Sequence, residues 1–156
     1  MKNFLMMMFV CAGMCFTFHS PALAGGGGNS GSNGKVSSRA RFVIDNNTEE
    51  DLLIWIRPQG TPLPATVAEL NDMLIAVTPN RQNRDTSRLR NGTFTLTLFF
   101  AEDVADFIDA DLDQELFEDG TVSQTTAVLN GEDIDVEINE EPVPGSSFTI
   151  PTLSLP

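Results

Sequence analysis

The chain reads as an all-β protein, a small two-sheet β-sandwich of Greek-key or Ig-like type with one or two short helices. Three observations predict it. Short apolar runs with two-residue alternation recur along the body, most clearly Thr93-Phe94-Thr95-Leu96-Thr97-Leu98-Phe99-Phe100 and Ile134-Asp135-Val136-Glu137-Ile138. Turn-forming clusters such as Asn46-Asn47-Thr48, Asn91-Gly92 and Asn130-Gly131 separate these runs at short intervals. Sustained helical periodicity is confined to brief stretches. A small barrel is the nearest rival architecture, and no internal repeat is evident.

The chain opens with the three parts of an export signal. Lys2 gives a basic start, Phe4 to Phe18 is largely apolar, and Pro21-Ala22-Leu23-Ala24 ends with small residues. Cleavage is expected after Ala24. The apolar part is short for a spanning helix, which needs about 20 apolar residues. Cys11 and Cys15 lack the leucine-small-small context of a lipid anchor. Domain organisation follows: 1–24 leader, 25–38 a Gly/Ser-rich flexible spacer, 39–156 one folded domain.

Removal of the leader changes the chemistry on offer. Both cysteines and the single histidine lie within it, and the chain has no tyrosine. The exported form therefore has no disulfide, no thiol nucleophile and no imidazole base or ligand. Charge is divided along the chain. All eight basic residues of the exported form lie between Lys35 and Arg90, beside seven acidic ones, whereas Asn91 to Pro156 holds fifteen acidic residues and no basic ones. Such a field repels nucleic acid and anionic lipid surfaces and attracts divalent cations or a basic partner. It also serves solubility alone.

The elements follow in order. Arg41–Asp45 and Leu52–Arg57 are short strands around the polar turn 46–50, which predicts a hairpin. Leu53 and Trp55 share one face of the second strand; Leu52, Ile54 and Ile56 share the other, the mark of a central strand or of one partly covered on both sides. Trp55 is expected in a core rather than as a sugar-stacking platform. After the proline-rich loop 58–64, Thr66-Val67-Ala68-Glu69 fits a reciprocal cap, so a helix is predicted from Val67 to Leu74. A strand at 75–78 follows. Pro79–Arg90 is a polar loop carrying Arg81, Arg84, Arg88 and Arg90. It is suited to a carboxylate or phosphate, to pairing with the acidic half, or to plain exposure. Asn91-Gly92 predicts a tight hairpin turn.

In the strand 93–100, Phe94, Leu96, Leu98 and Phe100 are expected to face the core. Residues 102–119 fit both periods, with helix favoured for part of the stretch because aspartate is a poor strand former. Strands at 121–129 and 134–138 flank a turn at 130–133. Pro142–Gly145 makes a corner. Phe148–Ile150 forms a last short strand, which Pro151 confines to an edge or to a first strand position.

Asp109, Asp111 and Asp113 place carboxylates at alternate positions, as a calcium loop does, but Gln114 replaces the required glycine and Gly120 the closing glutamate. An EF-hand is excluded. A looser calcium site remains, with Asp111, Asp113, Glu118 and Asp119 as candidate ligands, because a bound cation offsets repulsion among them. No catalytic constellation emerges. Asp85-Thr86-Ser87 lacks the glycine of an aspartic-protease loop, Lys35 lies in the spacer, and no pair of carboxylates is held across a cleft for hydrolysis of glycosides.

The expectation is a non-catalytic binding or adhesion-type module, exported to the periplasm, cell surface or medium, with calcium the one suggested cofactor. Its partner would be a protein or cell surface, not nucleic acid, and no membrane insertion is expected after cleavage. The alternative is an assembly subunit that pairs through sheet edges and complementary charge; a carboxylate-based hydrolase is third. Asn46 and Asn91 match glycan acceptor patterns and are expected at accessible turns.

Overall fold

The computed structural model describes residues 37–156; the leader and nearly all of the spacer lie outside them. Strands account for 45% of these residues and helices for 15%, arranged with three sheets, so the fold is mixed and dominated by strands rather than all-β. The strands are β1 (Arg39–Ala40), β2 (Phe42–Asn46), β3 (Leu52–Pro58), β4 (Ile75–Val77), β5 (Arg84–Asp85), β6 (Leu89–Arg90), β7 (Gly92–Phe100), β8 (Ser123–Leu129), β9 (Ile134–Pro142) and β10 (Thr149–Ser154). The helices are α1 (Val67–Asn71), α2 (Ala101–Asp106) and α3 (Gln114–Gly120). One four-stranded sheet has the order β10-β9-β2-β5, a second the order β4-β3-β7-β8, and β1 pairs with β6 alone.

The expected hairpin of the first two strands does not form. β2 lies in one sheet against β9 and β5, while β3 lies in the other between β4 and β7. The polar segment after Asn46 is thus a crossing between sheets. Asn46 explains the departure. It is fully buried, and its Nδ2 donates to the carbonyls of Glu50, Val77 and Thr78 at 3.1, 3.2 and 3.1 Å. Its Oδ1 accepts from the Thr48 amide at 3.0 Å and the Thr48 hydroxyl at 2.8 Å. A side chain bonded this fully inside the protein has no room for a glycan, so Asn46 is not an accessible acceptor; Asn91 is exposed.

Asn91-Gly92 is likewise not a hairpin turn. β6 before it pairs with β1, β7 after it pairs with β3 and β8, and the Asn91 amide donates to the Ser38 carbonyl at 3.2 Å. The chain changes sheets here, as it does at Arg41 between β1 and β2. β2 and β9 run parallel, from Phe42 opposite Ile134 to Asn46 opposite Ile138. This parallel pair departs from a purely antiparallel arrangement.

The alternation read from the sequence is kept in the long strands. Phe94, Leu96 and Leu98 are buried, as are Ala127, Leu129, Val136 and Ile138. They join Phe42, Ile44, Leu52, Ile54, Val77 and Leu153 in one cluster fed by both four-stranded sheets. Phe42 and Phe94 meet edge to face with centroids 5.9 Å apart. Along one side, the Leu153 amide of edge strand β10 donates to the Ser123 Oγ of edge strand β8 at 3.1 Å. β3 is a central strand, between β4 and β7, and both of its apolar faces are covered. Pro151 sits in edge strand β10, which extends further than the three residues expected.

The second face of β3 and β7 is covered by helices. Trp55, Phe99, Val67, Leu70, Val104 and Phe117 form a separate cluster, with Trp55 and Phe99 edge-on to Phe117 at 5.9 and 5.6 Å. Trp55 is 3% exposed, a core residue. Two helices, rather than one helix or a strand, occupy the ambiguous stretch 102–119. The apolar stripe folds onto Trp55 and Phe99, while Phe107 to Asp113 turns the chain between them. α1 is shorter than predicted, and its cap is altered. Thr66 Oγ1 accepts from the Glu69 amide at 3.2 Å, but the Glu69 carboxylate accepts from Ala65 at 2.9 Å, not from Thr66.

Asn46 yields a stability prediction. Asn46→Asp keeps the shape but sets an acceptor against three carbonyls that need a donor, so it should cost about 3 kcal/mol or more. Thr48→Val removes a hydroxyl that donates to Asn46 Oδ1 and accepts from the Glu50 amide, and should cost about 1–2 kcal/mol. Urea denaturation of the two variants at neutral pH checks the order; equal costs would mean the amide is not the anchor.

Candidate functional site

The acidic segment is positioned by β7. The strand ends at Phe100 and passes directly into α2, whose first turn carries Glu102 and Asp103. Carboxylates near a helix N-terminus are favoured by the exposed amides there. Asp103 is nonetheless held above the usual carboxylate range, first by partial loss of water and then by its neighbours Glu102 and Asp106. Between α2 and α3 the backbone is pinned to the start of α1. The Val67 amide donates to the Ala110 carbonyl at 3.1 Å, and the Leu112 amide donates to the Ala65 carbonyl at 2.9 Å.

That pinning fixes where the predicted metal ligands stand. Asp111 lies in the bridge opposite Thr66 and is exposed. Asp113 is the N-cap of α3, its carboxylate accepting from the Leu116 amide at 2.8 Å. Glu118 accepts from Gln114 Nε2 at 2.6 Å, one helical turn back. Asp119 joins Asp113, Glu115 and Leu116 around a shallow open depression. Asp113 and Asp119 are thus brought to one depression, whereas Asp111 is on the preceding bridge. Among the described residues, no three of His, Cys, Asp and Glu gather as a metal-holding group.

The arginines divide into two kinds. Arg41 bridges two carboxylates, Asp85 at 2.5 Å and Asp133 at 2.9 Å, and so links the basic region to the acidic half. Its guanidinium holds Asp133 below the usual carboxylate range, chiefly through their side-chain hydrogen bond. Arg57 lies over the Trp55 ring at 4.5 Å and the Phe117 ring at 5.3 Å, and donates to the Thr61 carbonyl at 3.3 Å. Arg81 contributes its carbonyl to the Asn46 amide, so its backbone is structural. The stretch 79–90 is partly ordered by β5 and β6 rather than being a plain loop.

The sequence reading missed the distal half of the β9–β10 ribbon. β2 accompanies β9 only as far as Ile138, yet β9 and β10 remain paired to Pro142 opposite Thr149. On its outer face Ile150 stands opposite Glu141, and Val143 and Phe148 follow at the tip, where the Val143 amide donates to the Phe148 carbonyl at 2.9 Å. Phe148 is 74% exposed and Ile150 41%. The alternation Phe148-Thr149-Ile150 was visible, but which side met water depended on the register with β9, which sets Ile150 opposite Glu141 on the face away from Leu153 and Ile138. Among the described residues, no helix is long and apolar enough to cross a membrane.

Two variants should respond to acid in opposite ways. Asp133, depressed in the folded state, stabilises above the ordinary carboxylate range and loses that contribution as pH falls through its own lowered value. Arg41→Gln should therefore be less stable than the parent at neutral pH, with the gap closing in acid. Asp103 is raised, so its ionisation penalises the folded state at neutral pH and the penalty vanishes below the ordinary value. Asp103→Asn should be more stable than the parent at neutral pH, also converging in acid. Thermal denaturation across pH 2 to 8 (about this range) checks both.

No family model, curated protein or solved structure matches the chain.

Proposed function

We propose that this chain is a non-catalytic, exported binding module of adhesion type, built as a two-sheet sandwich of Greek-key type, with the distal β9–β10 ribbon as its contact surface. The observation that carries the reading is the exposed pair Phe148 and Ile150 on one face of a ribbon that extends past its sheet. Large apolar side chains left in water on a projecting element favour a protein partner, since aromatic anchors supply most of the energy at such contacts. The sandwich reading is supported by the shared core of the two four-stranded sheets and by the bond between β10 and Ser123. Export is supported by the leader in the sequence.

Calcium belongs to this proposal as a stabiliser of the stretch around α3. Asp113 and Asp119 would supply oxygens at the shared depression, with Asp111 and Glu118 recruited from either side. The cost is the Leu116 cap bond of Asp113, so affinity in the range of extracellular modules, about 0.1–1 mM, is the expectation. Calorimetric titration of the parent and of Asp111→Asn/Asp113→Asn tests it. Heat of binding and a raised melting temperature in the parent alone support calcium. No response up to about 10 mM removes calcium from the proposal.

The binding role is tested with Phe148→Ser/Ile150→Thr. Both positions are exposed, so stability should change by less than about 0.5 kcal/mol. Purified parent protein should bind washed producing cells saturably, and the double variant should bind at least tenfold more weakly. Equal binding by the two, or none by the parent, would overturn the reading.

A further inference from the structure

The short β1–β6 ladder places two like charges face to face. Arg39 stands directly opposite Arg90, with Ala40 opposite Leu89. Directly opposed side chains share a face with Cβ atoms about 4.5–5.5 Å apart, and like charges so placed repel. Arg88 lies two residues before Arg90 and adds a third cation to the same end. Two carboxylates of this region, Asp85 and Asp133, are already taken by Arg41. Arg88 exerts a weaker pull on Asp133 from further off, and Glu132 is exposed in the adjoining turn. Among the described residues, no ion pair reaches Arg39, Arg88 or Arg90.

The opposite imbalance lies at the other end. β2 and β9 are parallel and both run away from the arginine pair, since β1 precedes β2 and the β9 pairing starts at Phe42 opposite Ile134. From Ile134 to Glu140 is six steps, about 20 Å at roughly 3.3 Å per residue. There Glu140 and Glu141 are exposed, and Glu140 accepts only from Thr149 Oγ1 at 3.0 Å among the described residues. Glu141 shares the outer face of the ribbon with Ile150, beside Val143 and Phe148. The ribbon tip therefore combines uncompensated acid with exposed apolar surface, and it is too far from its own arginine pair to meet it.

We propose that the Glu140–Ile150 ribbon of one copy docks on the Arg39–Arg90 ladder of a second copy, head to tail. This rests on the ribbon being the contact surface of the module and names its partner. Glu141, on the same outer face as Phe148 and Ile150, meets the two guanidinium groups, Glu140 on the other face of the strand adds negative field behind it, and Phe148 and Ile150 lie along the aliphatic stems of the arginines. The two surfaces differ, so each copy keeps one free end and association continues into a chain or a ring. Nucleic acid and anionic membranes carry charge of the wrong sign for a chain with a net charge of −13, whereas the acid of the ribbon is local to the contact. Exposed charges are screened by salt, so the contact weakens as ionic strength rises.

The test uses two neutralised variants of the protein purified after export, Arg39→Gln/Arg90→Gln and Glu140→Gln/Glu141→Gln. All four positions are exposed, and matching melting temperatures confirm that each variant folds. Sedimentation velocity is run in about 20 mM and about 500 mM salt, on either side of the range in which surface charges are screened. The parent should associate progressively in low salt and at least tenfold more weakly in high salt. Each variant alone should be monomeric. Their equimolar mixture should give a discrete dimer and nothing larger, because each supplies the surface the other has lost. A parent that is monomeric in low salt at every concentration, or a mixture that fails to pair, overturns the proposal. So does a monomeric parent whose arginine ladder binds heparin or anionic vesicles. A monomeric parent that still binds producing cells through Phe148 and Ile150 defeats self-association alone and leaves the binding role standing.

Discussion

The buried side-chain amide of Asn46 ties the end of one sheet to the edge of the other. It lies at the end of β2, at the point where the chain leaves one sheet for the other. Its donors reach Val77 of β4 and the following Thr78, which belong to the opposite sheet's side, as well as Glu50 in the crossing segment. Its backbone amide donates to Arg81, and the next amide, that of Asn47, donates to Ile138 of β9. Segments distant in sequence are thus fixed around one residue. Because a buried polar group without partners is costly, the five side-chain bonds are specific as well as stabilising. No buried side-chain polar atom among the described residues is left without a partner.

From that junction the two apolar faces of the second sheet take separate roles. Its inner face joins the other sheet in the main core. The outer face is too apolar around Trp55 and Phe99 to remain in water, and the insertions after β3 and β7 supply short helices to cover it. None of these helices is long enough to be stable alone, so packing on the sheet decides their conformation. The acidic residues follow from this arrangement. The apolar positions of 101–120 are drawn onto the sheet, and the carboxylates between them are left on the solvent side, where Asp113 and Glu118 make local bonds.

Charge is not dispersed evenly over the surface. Arg41 neutralises Asp85 and Asp133 and so joins β2 to the turn before β9. What remains is a basic pair at one end of the parallel β2–β9 couple and an acidic, apolar ribbon at the other. The polarity comes from topology. In a parallel pair both strands carry their starts to one end and their finishes to the other, so residues clustered early and late in the sequence are separated in space. This separation gives the binding reading its direction.

The strand character of the long segments and the inward side of each were legible in the sequence, because alternation depends only on the two-residue period of an extended chain. Equally legible were the cover over both faces of β3, the burial of Trp55 and the Thr66 cap, and Pro151 was confined to an edge or a strand start. Tertiary structure alone decided which strands pair. Asn46-Asn47-Thr48 and Asn91-Gly92 carry the chemistry of tight turns, yet both are places where the chain changes sheets. The pattern Arg39-Ala40-Arg41 and Arg88-Leu89-Arg90, basic around a small or apolar residue, was the one hint of the β1–β6 ladder. Exposure of Phe148 and Ile150 was likewise decided by tertiary structure, since the pairing of β10 with β9 turns them to the face opposite Leu153 and Ile138. Local sequence sets the conformation and facing of a segment. Partner, register and exposure depend on residues far away in the chain, brought together here by a buried amide whose bonds to Val77 and Thr78 no short-range pattern predicts.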